Sequence, residues 1–300
     1  VALKFLKNAA DEFNHVSISD LIHDRLDRFN DPHSVSGLLH ASSLTREDFC
    51  PRKVALIRKL GVKLPKEYID GSLRVTFDEG RASQDLLNNL WLRDIMYGEW
   101  QCLTCGDSRV GFAPASKHCD NQKMPCHYRY REMNFVSSEL RVTGGIDGLI
   151  HPKPGPLVVI EAKIIGASQF PKIETAKMPL AEHSQRTRLY LYLVEQSQKE
   201  NQLPMSIDTQ RGFVVYKLRG HGKMDATKKR ISPFRDFPVE RNDSMIQREI
   251  GFAKQVKAFE DSDRTEFPPG VCETPMDKRA KNCPVAAECF SGKHKTQEAV

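Results

Sequence analysis

Two carboxylates and an amine brought together by one short hairpin are the residues of this sequence best suited to chemistry. Residues 142–150 read Val-Thr-Gly-Gly-Ile-Asp-Gly-Leu-Ile, 151–156 form a Pro/Gly-rich turn, and 157–163 read Leu-Val-Val-Ile-Glu-Ala-Lys. Two β-type runs about such a turn predict a hairpin. Centred on Pro154, it sets Asp147 directly opposite Glu161. Lys163, two residues on, projects from the same sheet face as Glu161. Two carboxylates bind Mg²⁺ or Mn²⁺ through oxygen. Such an ion lowers the pKa of water and offsets charge on a phosphate. The lysine can position or deprotonate the attacking water and balance developing charge. Glu-Ala-Lys alone recurs by chance, and Asp beside Gly-Gly is ordinary turn chemistry. The register that joins them points to metal-assisted hydrolysis, with Glu132 on the preceding strand as a weaker supporting acid.

The eight cysteines form the second constellation. Disulfides are disfavoured in a reducing compartment, so metal sites are the better expectation. Cys102-Leu-Thr-Cys105-Gly106 has the spacing of a zinc knuckle, and Cys119 and Cys126 would complete a tetrathiolate. His118 or His127 could substitute for a thiolate. A site closed by four ligands is structural rather than catalytic. Cys50, Cys272, Cys283 and Cys289 contain no such close pair. Their bland alternative is a set of buried free thiols packing as small apolar groups.

The elements that must position these groups follow from periodicity. Residues 1–35 suggest an amphipathic helix, capped by Ser17 or Ser19, with Ile18, Leu21, Ile22, Leu26 and Phe29 on one face. Residues 36–62 predict a turn into a second helix closing near Gly61. Residues 75–97 predict a third, with Phe77, Leu86, Leu87, Leu90 and Trp91 in the core. The stretch 98–128, poor in aliphatics, reads as an inserted module without a core of its own. Strands follow from 129, then a helix at about 180–199, a strand at 212–218 and a helix at 241–260. The expected division is an N-terminal helical region (1–98), a zinc-ribbon insert (99–128), a catalytic core (129–260) and a C-terminal clasp (261–300).

Gly-x-x-Asp followed by a strand ending Glu-x-Lys resembles the PD-(D/E)XK nucleases. More closely it is similar to the RecB- and AddB-like branch that carries an iron–sulfur cluster, which includes the exonucleases of CRISPR spacer acquisition and phage relatives. The resemblance covers roughly 38–290, interrupted by the cysteine insert. It implies an α/β fold: a restriction-endonuclease-like central mixed sheet flanked by helices, with the zinc-ribbon insert and a helical iron–sulfur clasp. It implies Asp147 and Glu161 as metal ligands and Lys163 as the catalytic lysine. It also implies Cys50, Cys272, Cys283 and Cys289 as ligands of a 4Fe-4S cluster stapling the early helices to the tail. Two departures stand out. After Phe77-Asp78-Glu79-Gly80, the position of the branch's histidine ligand holds Gln84. In the helix after Glu-x-Lys, the expected Gln-x-x-x-Tyr is absent. Either Tyr190 aligns and Arg186 stands where the glutamine would, or Gln185 and Tyr192 share a face across two turns.

The reading that follows is a Mg²⁺- or Mn²⁺-dependent DNA nuclease, an exonuclease acting on single-stranded or duplex ends in recombination or replication. A helicase or recombination protein as partner and an oligomeric form are compatible with it. The rival readings are a catalytically attenuated DNA-binding or assembly protein of the same fold, and a redox or zinc regulator in which the cysteines are the function. The last leaves the Asp–Glu–Lys hairpin unexplained. The net charge of +6 is mildly basic. A candidate DNA-contacting stretch is Lys217, Arg219, Lys223, Lys228, Lys229, Arg230 and Arg235, with a solvated basic loop as its plain alternative. No run of 18 apolar residues exists, so no membrane span is expected. The opening residues lack a secretory apolar stretch. The expected setting is the cytoplasm of a bacterial or phage-infected cell.

Overall fold

The computed structural model describes residues 37–61, 71–115, 118–119, 122–166, 168–200, 205–219, 232–261 and 266–291. The helix expected within 1–35 and residues 223–230 of the basic stretch lie outside these. The chain divides into two compact units, Val1–Val35 with Leu64–Ala82, and Ser36–Lys63 with Ser83–Val300.

In the second unit, β1 (Leu39–His40) leads into the short α1 (Ala41–Leu44) and then α2 (Pro51–Leu60). Cys50 caps α2 through its sulfur, which accepts from Lys53 N at 3.4 Å, and Pro51 occupies the first helical position. Gly61, at φ +58°, closes it in the left-handed conformation that glycine adopts without strain. The next helix, α3 (Gly71–Leu86), begins in the first unit and brings its last turn, from Ser83, into the second.

The centre of this unit is a mixed seven-stranded sheet flanked by helices. Its strands are β2 (Met96–Cys102), β3 (Ser108–Phe112), β6 (Tyr128–Arg131), β9 (Gly148–Ile150), β10 (Leu157–Ile165), β11 (Ile207–Leu218) and β12 (Phe234–Glu240). They run in the order β12-β11-β10-β9-β2-β3, with β6 also paired to β2. Between β3 and β6 stands a small pair off the sheet, β4 (His118–Cys119) and β5 (Gln122–Pro125). A second sheet, of three strands, joins β1 to β8 (Val142–Ile146) and β8 to β7 (Met133–Ser137).

Strand β10 is buried over its first five residues, as an interior strand with apolar residues on both faces must be. It is antiparallel to β9 and parallel to β11. The parallel step requires a crossover, made through α4 (Phe170–Ala176) and α5 (Ala181–Glu200). Leu189, Leu191, Leu193 and Val194 of α5 pack with Val142, Ile146, Leu157 and Val159 of the strands. Ile250, Ala253 and Val256 of α6 (Gln247–Glu260) join the same core. The tail adds two short helices, α7 (Lys278–Lys281) and α8 (Ala286–Phe290).

Three expectations need correction. The third helix does not continue to residue 97, and of its five expected core residues only Leu87 is buried; Phe77, Leu86, Leu90 and Trp91 are exposed. For Leu90 and Trp91 the cause is a π turn at Leu87–Trp91, closed by Leu92 N to Leu87 O at 2.9 Å. An extra residue in the turn rotates the face, so a 3.6-residue period fails beyond Leu86. The boundary expected at residue 99 falls inside β2. Trp100 there is fully buried and packs with Met96, Tyr128, Tyr130 and Ile160. The flanks of the cysteine segment are thus sheet strands with an aromatic core, which a count of aliphatics overlooks. Strand β12, paired along β11 from Lys217↔Phe234 to Arg211↔Glu240, was not expected.

Candidate active site

The hairpin register is the one centred on Pro154: Val158↔Ile150, Val159↔Leu149 and Ile160↔Gly148. Asp147 is the single residue between β8 and β9, where the chain passes from the small sheet to the large one. Freed there from strand pairing, its Oδ2 accepts from Ala162 N at 2.7 Å and from Lys163 Nζ at 3.2 Å. Lys163 Nζ also lies 2.6 Å from Glu161 Oε1. Glu161 is fully buried, and its Oε2 accepts no hydrogen bond from a described residue. Burial, reinforced by Asp147, pushes its carboxyl well above the usual range. Burial works against the Lys163 ammonium, but Asp147 and Glu161 outweigh it and the net shift is upward.

Helix α5 supplies the second wall. Arg186 Nη1 reaches Glu161 Oε1 at 3.2 Å. Tyr190, one turn on, is buried against Gly144, where a Cβ would meet its ring at 2.8 Å. The neighbouring Gly145 leaves room on the opposite face for Glu132 Oε2. So the Gly-Gly pair of β8 admits a tyrosine ring on one side and a carboxylate on the other. Gln185 does not join this group. Its amide donates to Met245 O and, at 3.0 Å, to Glu249 Oε2, both beyond the far side of α5. Tyr192 packs at the edge of the main core, with the Arg241 guanidinium over its ring. Of the two alignments open in the sequence, the one pairing Arg186 with Tyr190 faces the carboxylates.

Gln84 and Glu132 complete the floor. The Gln84 amide nitrogen donates to Glu132 Oε1 at 2.8 Å and to Asp147 Oδ1 at 3.0 Å. Burial and the charge of Asp147 raise the Glu132 carboxyl. Asn88, buried in the π turn, donates to Asp147 O at 2.9 Å. Sequence reading missed Asn88, although its place four residues after Gln84 was a signal. It also missed His183, whose Nδ1 pairs with Tyr216 Oη at 2.8 Å. Burial, then the Lys163 and Arg186 charges, lower His183 to about 4, so this imidazole is neutral at neutral pH. Three carboxyl groups, Asp147, Glu161 and Glu132, thus converge with the Lys163 ammonium and the Arg186 guanidinium.

The cysteines separate by geometry. Cys102, Cys105 and Cys126 hold their sulfurs within 4.8 Å of one another. Gly106, at φ +77°, turns the knuckle, and its N–H donates to Cys102 O at 2.9 Å. The backbone of Cys119 lies in the β4–β5 pair that leads to Cys126; its side chain is outside the described atoms. Cys50, Cys272, Cys283 and Cys289 line one pocket of about 390 Å³, together with Lys53, Arg279 and Asn282. No three of these sulfurs lie within 4.8 Å of one another. Burial first, then Asp277 and the other three cysteines, push the Cys272 thiol up.

No protein-family model matches the sequence, and no curated protein matches it. Among solved structures, SSO0001 is similar at a TM-score of 0.40 and 12% identity, over 91% of this chain and 96% of that one. An alkaline exonuclease from Laribacter hongkongensis gives a TM-score of 0.40 at 13% identity, over 75% of this chain and 87% of that one. The same exonuclease in complex with dAMP gives 0.36 at 13% identity, over 75% and 91%. Likeness at this level carries no weight for function, which rests on the side chains themselves.

Proposed function

We propose that this chain hydrolyses phosphodiester bonds in DNA, using a divalent cation held by Asp147 and Glu161. The observation that carries the reading is the buried Glu161 oxygen without a donor, set beside Asp147 and Lys163. A buried carboxylate oxygen left unsatisfied is costly, and a cation beside Asp147 would satisfy it. The donors present, Asp147, Glu161 and Glu132, are carboxylates, which suit Mg²⁺ or Mn²⁺ rather than a soft metal, and Gln84 would join them by turning its amide oxygen inward. Such an ion supplies Lewis-acid polarisation and positive charge at the phosphate. Lys163, held as an ammonium by its two carboxylates, donates hydrogen bonds to the incoming water and to oxygens gaining charge. Arg186 fixes Glu161, and Asn88 fixes the backbone that carries Asp147.

The test is anaerobic purification and incubation with single- and double-stranded DNA labelled at either end. Mn²⁺-dependent release of label is the expected result. A folded, metal-loaded protein that leaves every substrate intact sinks the reading.

Gln84 favours a second reading, an attenuated DNA-binding protein. Its amide bridges Glu132 and Asp147 much as a cation would. Gln84→His tests it. If the amide blunts the site, the variant binds Mn²⁺ about tenfold more tightly, as a metal shell gaining an imidazole should. Calorimetry showing equal or weaker Mn²⁺ binding by the variant rejects attenuation.

The cysteine sets fit two further metals. A single ion with thiolate bonds of about 2.3 Å draws its sulfurs to within ~4 Å of one another. The compact Cys102, Cys105 and Cys126 group, within 4.8 Å, needs only a small contraction to reach that spacing, with Cys119 as the proposed fourth ligand of a structural Zn²⁺. The wider Cys50, Cys272, Cys283 and Cys289 set lies outside that spacing, and its pocket suits the larger 4Fe-4S cluster.

A further inference from the structure

Trp91 ends the π turn with 45% of its surface exposed, although the chain's other tryptophan, Trp100, is fully buried. Phe234 braces the Trp91 ring nearly at right angles, at 5.6 Å and 82°. Lys217 Nζ stands over the ring at 5.4 Å and bonds Ser83 Oγ at 2.7 Å. Ser83 precedes Gln84, whose amide holds Asp147. On β11, Lys217 pairs with Ile164, so its side chain stands on the sheet face opposite that of Lys163 and approaches the site only through α3. An exposed aromatic face and a cation whose described partners are a hydroxyl and a ring thus lie beside the last turn of α3, whose Gln84 reaches the carboxylates.

We infer that Trp91, Phe234 and Lys217 form a base-stacking subsite that takes an unpaired DNA base next to the bond being cut. This rests on the nuclease reading and names its substrate class, single-stranded or frayed ends. Every base has a π face, so an exposed aromatic takes any unpaired base, while an adjacent cation tracks the phosphate backbone. Bases inside a duplex stay stacked on one another and cannot reach the ring. A protein partner would also cover Leu86 and Leu90, which are exposed nearby. The ammonium over the Trp91 ring favours the polyanion.

Tryptophan emission gives the readout, because Trp100 is shielded and only Trp91 is accessible. Wild type, Trp91→Phe and Trp91→Ala are titrated, without added divalent ions, with an oligothymidylate, an abasic strand of equal charge, and a blunt duplex. The oligothymidylate is expected to quench wild-type emission to saturation, with the abasic strand and duplex doing so weakly. Trp91→Ala should bind the oligothymidylate about fivefold to a hundredfold less tightly by anisotropy, the loss expected for one stacked base. Trp91→Phe should keep most of the affinity. Equal binding by wild type and Trp91→Ala, or equal quenching by the abasic strand, overturns the inference and leaves this face to a protein. Mn²⁺-dependent hydrolysis by wild type, measured alongside, keeps the two readings separate. Hydrolysis without stacking sinks only the subsite, and stacking without hydrolysis sinks only the nuclease.

Discussion

Changing Glu161 to Gln is expected to lower DNA hydrolysis by about a thousandfold, the several kcal/mol of charge stabilisation that a catalytic cation contributes, while making the metal-free protein harder to unfold. The two effects share one cause. Glu161 is fully buried, one of its oxygens accepts no hydrogen bond from a described residue, and Asp147 stands beside it. Its folded pKa is therefore raised, so the native state binds more protons than the unfolded chain at weakly acid pH. Stability then falls as pH rises from the unfolded carboxylate value, about 4.3, through the raised folded value, and levels off above it. Glu132 is raised in the same sense. Lys163 is also raised, but as a base its contribution is complete below its unfolded value of about 10.4 and is lost only above that. Glu161→Gln removes the Glu161 share of the weakly acid slope and leaves that of Glu132. Mn²⁺, which favours the ionised carboxylate, should raise the wild-type Tm more at pH 8 than at pH 6 and should leave the variant nearly unmoved. Lys163→Met should cost about a hundredfold to ten-thousandfold in rate while leaving a Mn²⁺-dependent Tm shift. Thermal unfolding with and without Mn²⁺, beside single-turnover hydrolysis, checks both. A Glu161→Gln protein that cuts DNA like wild type removes the carboxylate from the mechanism.

What the sequence disclosed about this site and what it concealed have separable causes. The hairpin was legible because strand side chains alternate with a fixed period of two, so a turn centre sets every opposed pair. Asp147 and Glu161 follow from Pro154 alone. The mixed sheet was an implication of the family resemblance, and the apolar run 157–165 agrees with its interior place. Beyond Leu86 the helical period misled. A π turn leaves no mark in hydrophobicity, and it buries the polar Asn88 while exposing Leu90 and Trp91. Gln185 was a plausible polar group on the right helix. Its orientation is set by Met245 and Glu249, some sixty residues away in the chain, which no local pattern reports. Arg186 and Tyr190 were reachable only by allowing the motif to change its first residue. The cysteine sets could be sorted by spacing, but the breadth that separates a single ion from a cluster is a distance in space.

That breadth leads to the second large effect, on the tail. Residues 266–291 hold only the short helices α7 and α8, each too short to persist alone. Their apolar anchorage is a small cluster of Ala55, Leu56, Phe259, Phe267 and Val285, with Cys283 and Cys289 packed at its edge. Arg52, buried beneath, reaches Cys289 O at 3.5 Å and lies over the Phe267 ring. Around the remaining pocket stand four thiols, and placing thiolates there without metal would set like charges near one another in a partly apolar wall. The proposed 4Fe-4S cluster would remove that repulsion and would tie Cys50, at the start of α2, to three points of the tail. Anaerobic protein is therefore expected to contain about four iron and four sulfide per chain, beside one zinc in the Cys102 site. Cys272→Ser should lose most of the iron, keep the zinc, and become cleavable by protease after α6, with the stability of the tail falling by an amount comparable to the loss of a structural metal, about 10 kcal/mol. Exposure of wild type to oxygen and chelator should open the same cleavage site. Metal analysis that finds zinc in both sites and no sulfide would overturn the cluster. Iron retained by Cys272→Ser with an undisturbed tail would show that the staple does not pass through this cysteine.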